Sequence, residues 1–272
     1  MSSRQGILAI PDPSEADCGA VEALARVCRH RDELALPLYP AEARTSPTEI
    51  GLFLYYVDDQ LAGFVSLYPG ESDVELLGMV HPDRRRKGIG RALLDAARHE
   101  CRRRGAKGLL LVCEETAVAA QEFARTVGGE HEFSEHKMQL DREQFARGER
   151  PRPPGLRISS AAIEDIERLI AIRVDSFGGS EERARSDLER WLHDPRFELL
   201  IANRGSEAIG MLRVSRFESE IFLNGFAVVR EHRGRGVGHE LLVAVLERLA
   251  TERGKSIALE VETDNHSALS LY

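Results

Sequence analysis

The sequence predicts an α/β fold built twice in tandem, and three observations carry that expectation. The signature R-x-x-G-x-G occurs at Arg85-Arg86-Lys87-Gly88-Ile89-Gly90 and again, 148 residues later, at Arg233-Gly234-Arg235-Gly236-Val237-Gly238. Each copy follows an apolar, strand-like run, Val74 to Val80 or Ile221 to Val229, and opens an amphipathic helix. The chain has 272 residues, room for about two domains of ordinary size. Between the copies, Gly148-Glu149-Arg150-Pro151-Arg152-Pro153-Pro154-Gly155 reads as a semi-rigid linker. The expected division is a first domain over 1–147, a linker over 148–155 and a second domain over 156–272.

The elements follow in matched order. Ala16 to Leu34 has helical periodicity. Ile50 to Tyr56, Leu61 to Leu67 and Val74 to Val80 read as strands, with turns at Asp58-Asp59 and Pro69-Gly70. Ile89, Leu93, Leu94, Ala97 and Cys101 mark one face of the helix after the loop, Gly105 ends it, and Gly108 to Val112 is the next strand. The second half repeats this: a strand at Arg157 to Ser160, a helix at Ala162 to Ile172, and strands at Phe197 to Ala202, Ala208 to Val214 and Ile221 to Val229. A helix carrying Val237, Leu241, Leu242, Val245, Leu246 and Leu249 follows, ended by Gly254, with a strand at Ile257 to Val261. Each half is thus expected to be a mixed, mostly antiparallel sheet flanked by helices.

Composition excludes several classes. The net charge of −8 argues against a nucleic-acid partner, which needs a basic face. No apolar run is long enough for a membrane helix and no signal peptide opens the chain, so no membrane partner is expected. The four cysteines, Cys18, Cys28, Cys101 and Cys113, form no C-x-x-C pair and read as reduced thiols of a cytoplasmic protein, with no metal site.

Strand, glycine loop and helix N-terminus together make an anion site from backbone. Glycines admit close approach, and free N–H groups with the helix dipole favour phosphate. A dinucleotide-binding fingerprint would place a third glycine three residues on, where Leu93 and Leu241 stand, and would open the domain instead of following a meander.

The pattern resembles the GNAT superfamily, the GCN5-related N-acetyltransferases, whose motif is [QR]-x-x-G-x-[GA]. The match extends through Val80 to Arg85 and Val228 to Arg233, and in the second half through Leu259-Glu260-Val261 and Asn265-x-x-Ala268-x-x-Leu271-Tyr272. The doubling resembles tandem members of the mycothiol synthase type in architecture. The resemblance implies acetyl-CoA as co-substrate. It implies cofactor contacts at Met79, Val80, Arg85, Arg86, Lys87, Gly88, Ile89, Gly90 and Arg91 in the first copy. In the second it implies Ala227, Val228, Arg233, Gly234, Arg235, Gly236, Val237, Gly238, His239 and Asn265.

The implied reaction is direct acetyl transfer to the amine of a small molecule or peptide. Tyr272 stands where a family tyrosine protonates the leaving thiolate. Many relatives carry a glutamate base eleven residues before the loop's first Gln or Arg, where this chain has Val74 and Phe222. Glu220, on the same strand face as Phe222, is the candidate base, directly or through a water, or else a solvated strand-end carboxylate. In the first half the tyrosine position falls on Phe123 or Ala124 depending on the count, so that domain is expected to bind CoA and to be poorly equipped for chemistry. A rival reading is a non-catalytic acyl-CoA-binding or interaction protein.

The chain stops at Tyr272, whereas the family continues into further strands; the first half has such a segment at Glu130 to Leu140. The second sheet is therefore expected to lack its terminal strands and expose an edge. A truncated product is one expectation; completion of that edge by a second copy or another partner chain is the other.

Overall fold

The computed structural model describes residues 4–35, 51–69, 73–142 and 153–272. They form two compact units, one through His131 and one from Glu132. In the first, β1 (Gly6–Ile10), α1 (Glu15–Asp32), β2 (Leu52–Val57), β3 (Gln60–Pro69) and β4 (Val74–Val80) are followed by α2 (Ile89–Arg104), β5 (Leu109–Leu111) and α3 (Val118–Thr126). The sheet runs β1-β2-β3-β4-β5; its pairs are antiparallel except β4 with β5.

Alternation along β2 sends its residues to two cores. Leu52 and Leu54 join Phe64 beneath Val21, Leu24 and Cys28 of α1. Phe53 joins Val65 and Leu67 beneath Leu93, Leu94 and Ala97 of α2. A sheet buried on both faces suits the near-continuous apolar strands, each buried Leu or Phe being worth about 1.5–3 kcal/mol. Local signals place the ends. Ser14 and Asp17 close a capping box on α1, and Gly105 ends α2 with a left-handed φ of 70°. Asp58 and Asp59 both have positive φ in the β2–β3 hairpin, as its twist requires.

The second unit holds β6 (Glu135–Gln139), β7 (Leu156–Ser160), α4 (Ile166–Phe177), α5 (Glu181–His193), β8 (Phe197–Arg204), β9 (Glu207–Arg216), β10 (Glu220–Val228), α6 (Val237–Leu249), β11 (Ser256–Glu262) and α7 (His266–Leu271). Leu241, Val245 and Leu249 of α6 pack on Ile221, Leu223, Ile257 and Leu259. Leu169 of α4 and Leu188 of α5 cover the opposite face at Leu199, Ile201 and Met211.

Two expectations change here. The sheet order is β6-β11-β10-β9-β8-β7, so the edge expected to be exposed is paired. β6 lies antiparallel to β11, from Ala258↔Gln139 to Glu262↔Glu135, and Met138 packs against the α6 core. Residues 130–140 follow the first helix–turn in sequence, yet their alternating strand completes the second sheet. The same pairing moves the boundary: contacts divide the chain at His131/Glu132, ahead of the expected 148–155 linker, of which residues 148–152 lie outside the described residues. Lesser differences are β1, which was not anticipated, and α6, which ends at Leu249 before Gly254. Gly70 of the second expected turn also lies outside the described residues.

Candidate active site

Both signatures fold alike. Gly88 and Gly236 are the N-caps of α2 and α6, with φ of 83° and 81°. Neither helix has a side-chain cap. The first intrahelical bonds are Ala92 N–H to Gly88 and Glu240 N–H to Gly236. The N–H groups of residues 89–91 and 237–239 therefore precede the helical ladder and face outward, which is what an anion needs. Gly90 and Gly238 keep the helix start close to the strand end: a Cβ on Gly238 would lie 3.3 Å from Leu271 and 3.8 Å from Val228, and one on Gly90 3.5 Å from Phe123 and 3.8 Å from Val80.

The arginine heading each motif, expected at the cofactor, bonds back to the strand end. Arg85 Nε donates to the Val80 carbonyl, and Arg233 Nε donates to the Val228 carbonyl. Arg85 also grips Asp32 at the end of α1 through both terminal nitrogens. These bonds tie the strand end to the loop. Arg86, Lys87, Arg91 and Arg235 are exposed around the loops; Lys87 reaches the Asp83 carbonyl. Ile89 and Val237 bury their side chains and leave only backbone to the loop. His239 lies 3.6 Å from the buried carboxylate of Glu240.

The strands before the loops differ. β4 pairs with β3 without interruption from Val74 to Val80. β10 carries a bulge between Asn224 and Ala227, with Gly225 at a φ of 57°. Both strands part from their parallel neighbour: β4–β5 pairing ends at Leu76↔Leu111, and β10–β11 pairing at Leu223↔Leu259. Each opens a V-shaped slot whose β4 or β10 lip has no partner strand among the described residues. Met79–Val80 and Ala227–Val228 lie on those lips, as expected. An amide-bearing pantetheine arm fits such a lip because it satisfies backbone groups. Slot, loop and uncapped helix start together fit CoA.

Around the second slot, Phe226 of the bulge contacts Tyr272, with ring centroids 6.0 Å apart. Leu271 lies against Gly238 as Phe123 lies against Gly90. This settles the two counts: Ala124, following Phe123, answers to Tyr272, so the first unit has no phenol there. Burial pushes the Tyr272 phenol up to about 12. Asn265, expected at the cofactor, caps α7 by accepting from the Ala268 N–H.

Glu220 stands apart from the slot. It begins β10, opposite Ser256 and within the paired stretch, at the end of the strand remote from the loop. Its carboxylate is ion-paired to Lys137 of β6 at 2.9 Å. The face away from α6 holds groups that sequence reasoning did not weigh. Ile257, Leu259 and Val261 turn toward α6, so Ala258, Glu260 and Glu262 turn the other way. Desolvation, then the neighbouring Glu260 and Glu262 charges, push the Glu135 carboxyl up. Asn224 accepts from Arg213 Nε at 2.7 Å and from Ser215 Oγ at 3.3 Å. The Arg213 guanidinium lies 3.7 Å from the centroid of Trp191, and that of Arg173 4.8 Å from the same ring. Arg173 is 5% exposed and paired to Asp187.

The model of the acetyltransferase (GNAT) family matches residues 20–128 and 166–272. The chain belongs to that family. It is 29% identical over 280 residues to a mycothiol acetyltransferase of Clavibacter sepedonicus, covering 98% of this chain and 86% of the relative. It is 30% identical over 214 residues to a mycothiol acetyltransferase of Clavibacter michiganensis subsp. michiganensis, covering 75% and 68%. Among solved structures, a tandem GNAT protein of the clavulanic acid pathway superposes with a TM-score of 0.72 at 19% identity, covering 97% of this chain and 92% of that one. A GCN5-related N-acetyltransferase from Sphaerobacter thermophilus gives 0.72 at 16%, covering 98% and 90%. These two bear out the doubled fold. The family makes the chain an N-acetyltransferase that uses acetyl-CoA, and nothing among the relatives supports the non-catalytic alternative.

Proposed function

We propose that acetyl transfer occurs in the second unit, in the slot between β10 and β11, with Tyr272 as the acid that protonates the leaving thiolate. The observation that carries this reading is the joint placement of the bulge, the uncapped α6 start and the buried phenol, of which the first unit has only the helix start. Gly225 lets the strand turn a backbone N–H into the slot, where it polarises a thioester carbonyl. The N–H groups of Val237, Gly238 and His239 hold pyrophosphate. Attack by the amine displaces CoA thiolate, and Tyr272, neutral at ordinary pH, supplies that proton.

The incoming amine must first lose its own proton. An alkylammonium with a pKa near 10.4 is less than about 0.1% neutral at pH 7, so proton removal is worth much. Glu260 follows the last β11 residue paired to β10, on the face away from α6, and takes the base role there in place of Glu220, directly or through a water. We infer an acceptor amine of the mycothiol class from the names of the relatives. Four free cysteines suit a reducing compartment. The test is release of free CoA thiol with the unacetylated mycothiol precursor: wild type turns over and Glu260→Gln loses at least ~10²-fold in kcat. Undiminished turnover in Glu260→Gln removes it as base.

A further inference from the structure

Asn224 is the last β10 residue before the bulge, and its side chain sits at the apex of the slot on the face away from α6. The α6 face is filled by Phe226, Leu271 and Tyr272, so an acceptor approaches from the face Asn224 occupies. The orientation of its amide is fixed. Arg213 Nε is a donor and never an acceptor, so the atom facing it is Oδ1, and Nδ2 with two hydrogens points the other way. Among the described residues Nδ2 meets no acceptor.

The support behind the amide is costly to build for a surface asparagine. Arg213 lies on Trp191, and the same ring carries Arg173, whose burial is offset by Asp187 on α5. Two helices and two strands thus converge to hold one amide at a set angle beside the slot. A neutral donor held there has no use for the amine itself, whose lone pair must remain free for attack. It suits an oxygen on the carbon next to the amine.

We propose that Asn224 is an acceptor-reading residue: Nδ2 donates to a hydrogen-bond-accepting oxygen adjacent to the reacting amine, so the protein selects α-amino carbonyl or amino-alcohol acceptors over plain alkylamines. The proposal rests on the reading that the second slot carries the chemistry. It names the acceptor by that oxygen, which an aminoacyl carbonyl and an amino-alcohol hydroxyl share.

Three amines of similar size separate the sources: alaninamide, alaninol and sec-butylamine, compared by kcat/KM for free amine with saturating acetyl-CoA. Wild type is expected to favour one or both oxygen-bearing amines by about tenfold or more. Preference for alaninamide alone assigns the carbonyl, and preference for alaninol alone the hydroxyl. Asn224→Ala is expected to lose that preference while sec-butylamine turnover and the KM for acetyl-CoA stay within about twofold. Asn224→Asp keeps the acceptor for Arg213 and removes the donor, so it must lose the preference too; a purely structural role would survive this change. Retained preference in Asn224→Asp, or an equal fall for all three amines, overturns the proposal. If wild type turns over none of them, calorimetry of alaninamide and alaninol against the CoA-saturated protein decides: binding of either, weakened about tenfold in Asn224→Asp, supports the amide contact while faulting the catalytic reading, and absence of binding overturns the proposal.

Discussion

The two loops of this chain share a conformation, while the strands that lead into them do not. Arg85 and Arg233 make the same bond back to the strand end, and Gly88 and Gly236 cap their helices with nearly equal φ. Position 86 has a φ of 62° and position 234 a φ of 69°, though one is arginine and the other glycine. A non-glycine residue there costs roughly 1–2 kcal/mol, and the first unit bears that cost to keep the loop. In contrast, β4 is regular where β10 is bulged, and Ala124 stands where the second unit has Tyr272. Phosphate-loop geometry and transfer chemistry are therefore separable layers of this fold. The loop is specified by six residues in a row; the chemistry proposed for the second unit calls on a bulge and a helix end brought from different parts of the chain.

The sharpest way to break this comparison is Tyr272→Phe. The ring contact with Phe226 is kept and the proton lost, so kcat should fall by ~10²-fold or more with the KM for acetyl-CoA nearly unchanged. Steady-state kinetics would show it. Because burial raises this phenol to about 12 from an ordinary value of 10, it stays protonated as pH rises through 10. The pH profile of kcat should accordingly show no alkaline loss near 10; a loss there that disappears in the phenylalanine variant would keep Tyr272 as the acid but contradict its raised pKa.

Next in size is the bulge. Gly225→Val forces a β-branched residue into a φ of 57° and should lower kcat at least about tenfold. Leu77→Val, at the same count before the first loop, should leave turnover within about twofold. Equal losses would mean that both strands serve the reaction. A smaller effect sharpens the loop comparison: Gly234→Ala should destabilise its unit by ~1 kcal/mol, lowering Tm by about 2–4 °C, whereas Arg86→Ala exchanges one left-handed L-residue for another and should shift Tm little. Calorimetric melting distinguishes them. Smallest is Glu220→Gln, which removes a partly exposed ion pair with Lys137 and should cost under ~1 kcal/mol with kcat within twofold. Collapse of kcat would restore Glu220 as base.

Much of the fold was legible in the sequence because glycines and periodicity are local signals. Val74 to Val80 was bounded as the strand forms, and Gly105 ends its helix as read. The site was half legible. Loop glycines announce themselves, and Tyr272 was placed by its spacing from Asn265. The Nε–carbonyl bonds of the motif arginines are visible only in three dimensions. β6 was assigned to the wrong sheet because pairing partners are not encoded in a strand's own alternation. Asn224 and Glu260 went unweighed since a bulge at Gly225 and a splay after Leu223 exist only as relations between strands.

The central claim is that turnover depends on the second loop and not on the first. Gly236→Val and Gly88→Val impose matched strain at matched φ, and thiol release by the two variants, each checked for folding by calorimetric melting, compares the loops directly. The account predicts that Gly236→Val loses at least ~10²-fold in kcat/KM for acetyl-CoA while Gly88→Val stays within about threefold of wild type. Equal losses, or a greater loss in Gly88→Val, would contradict it.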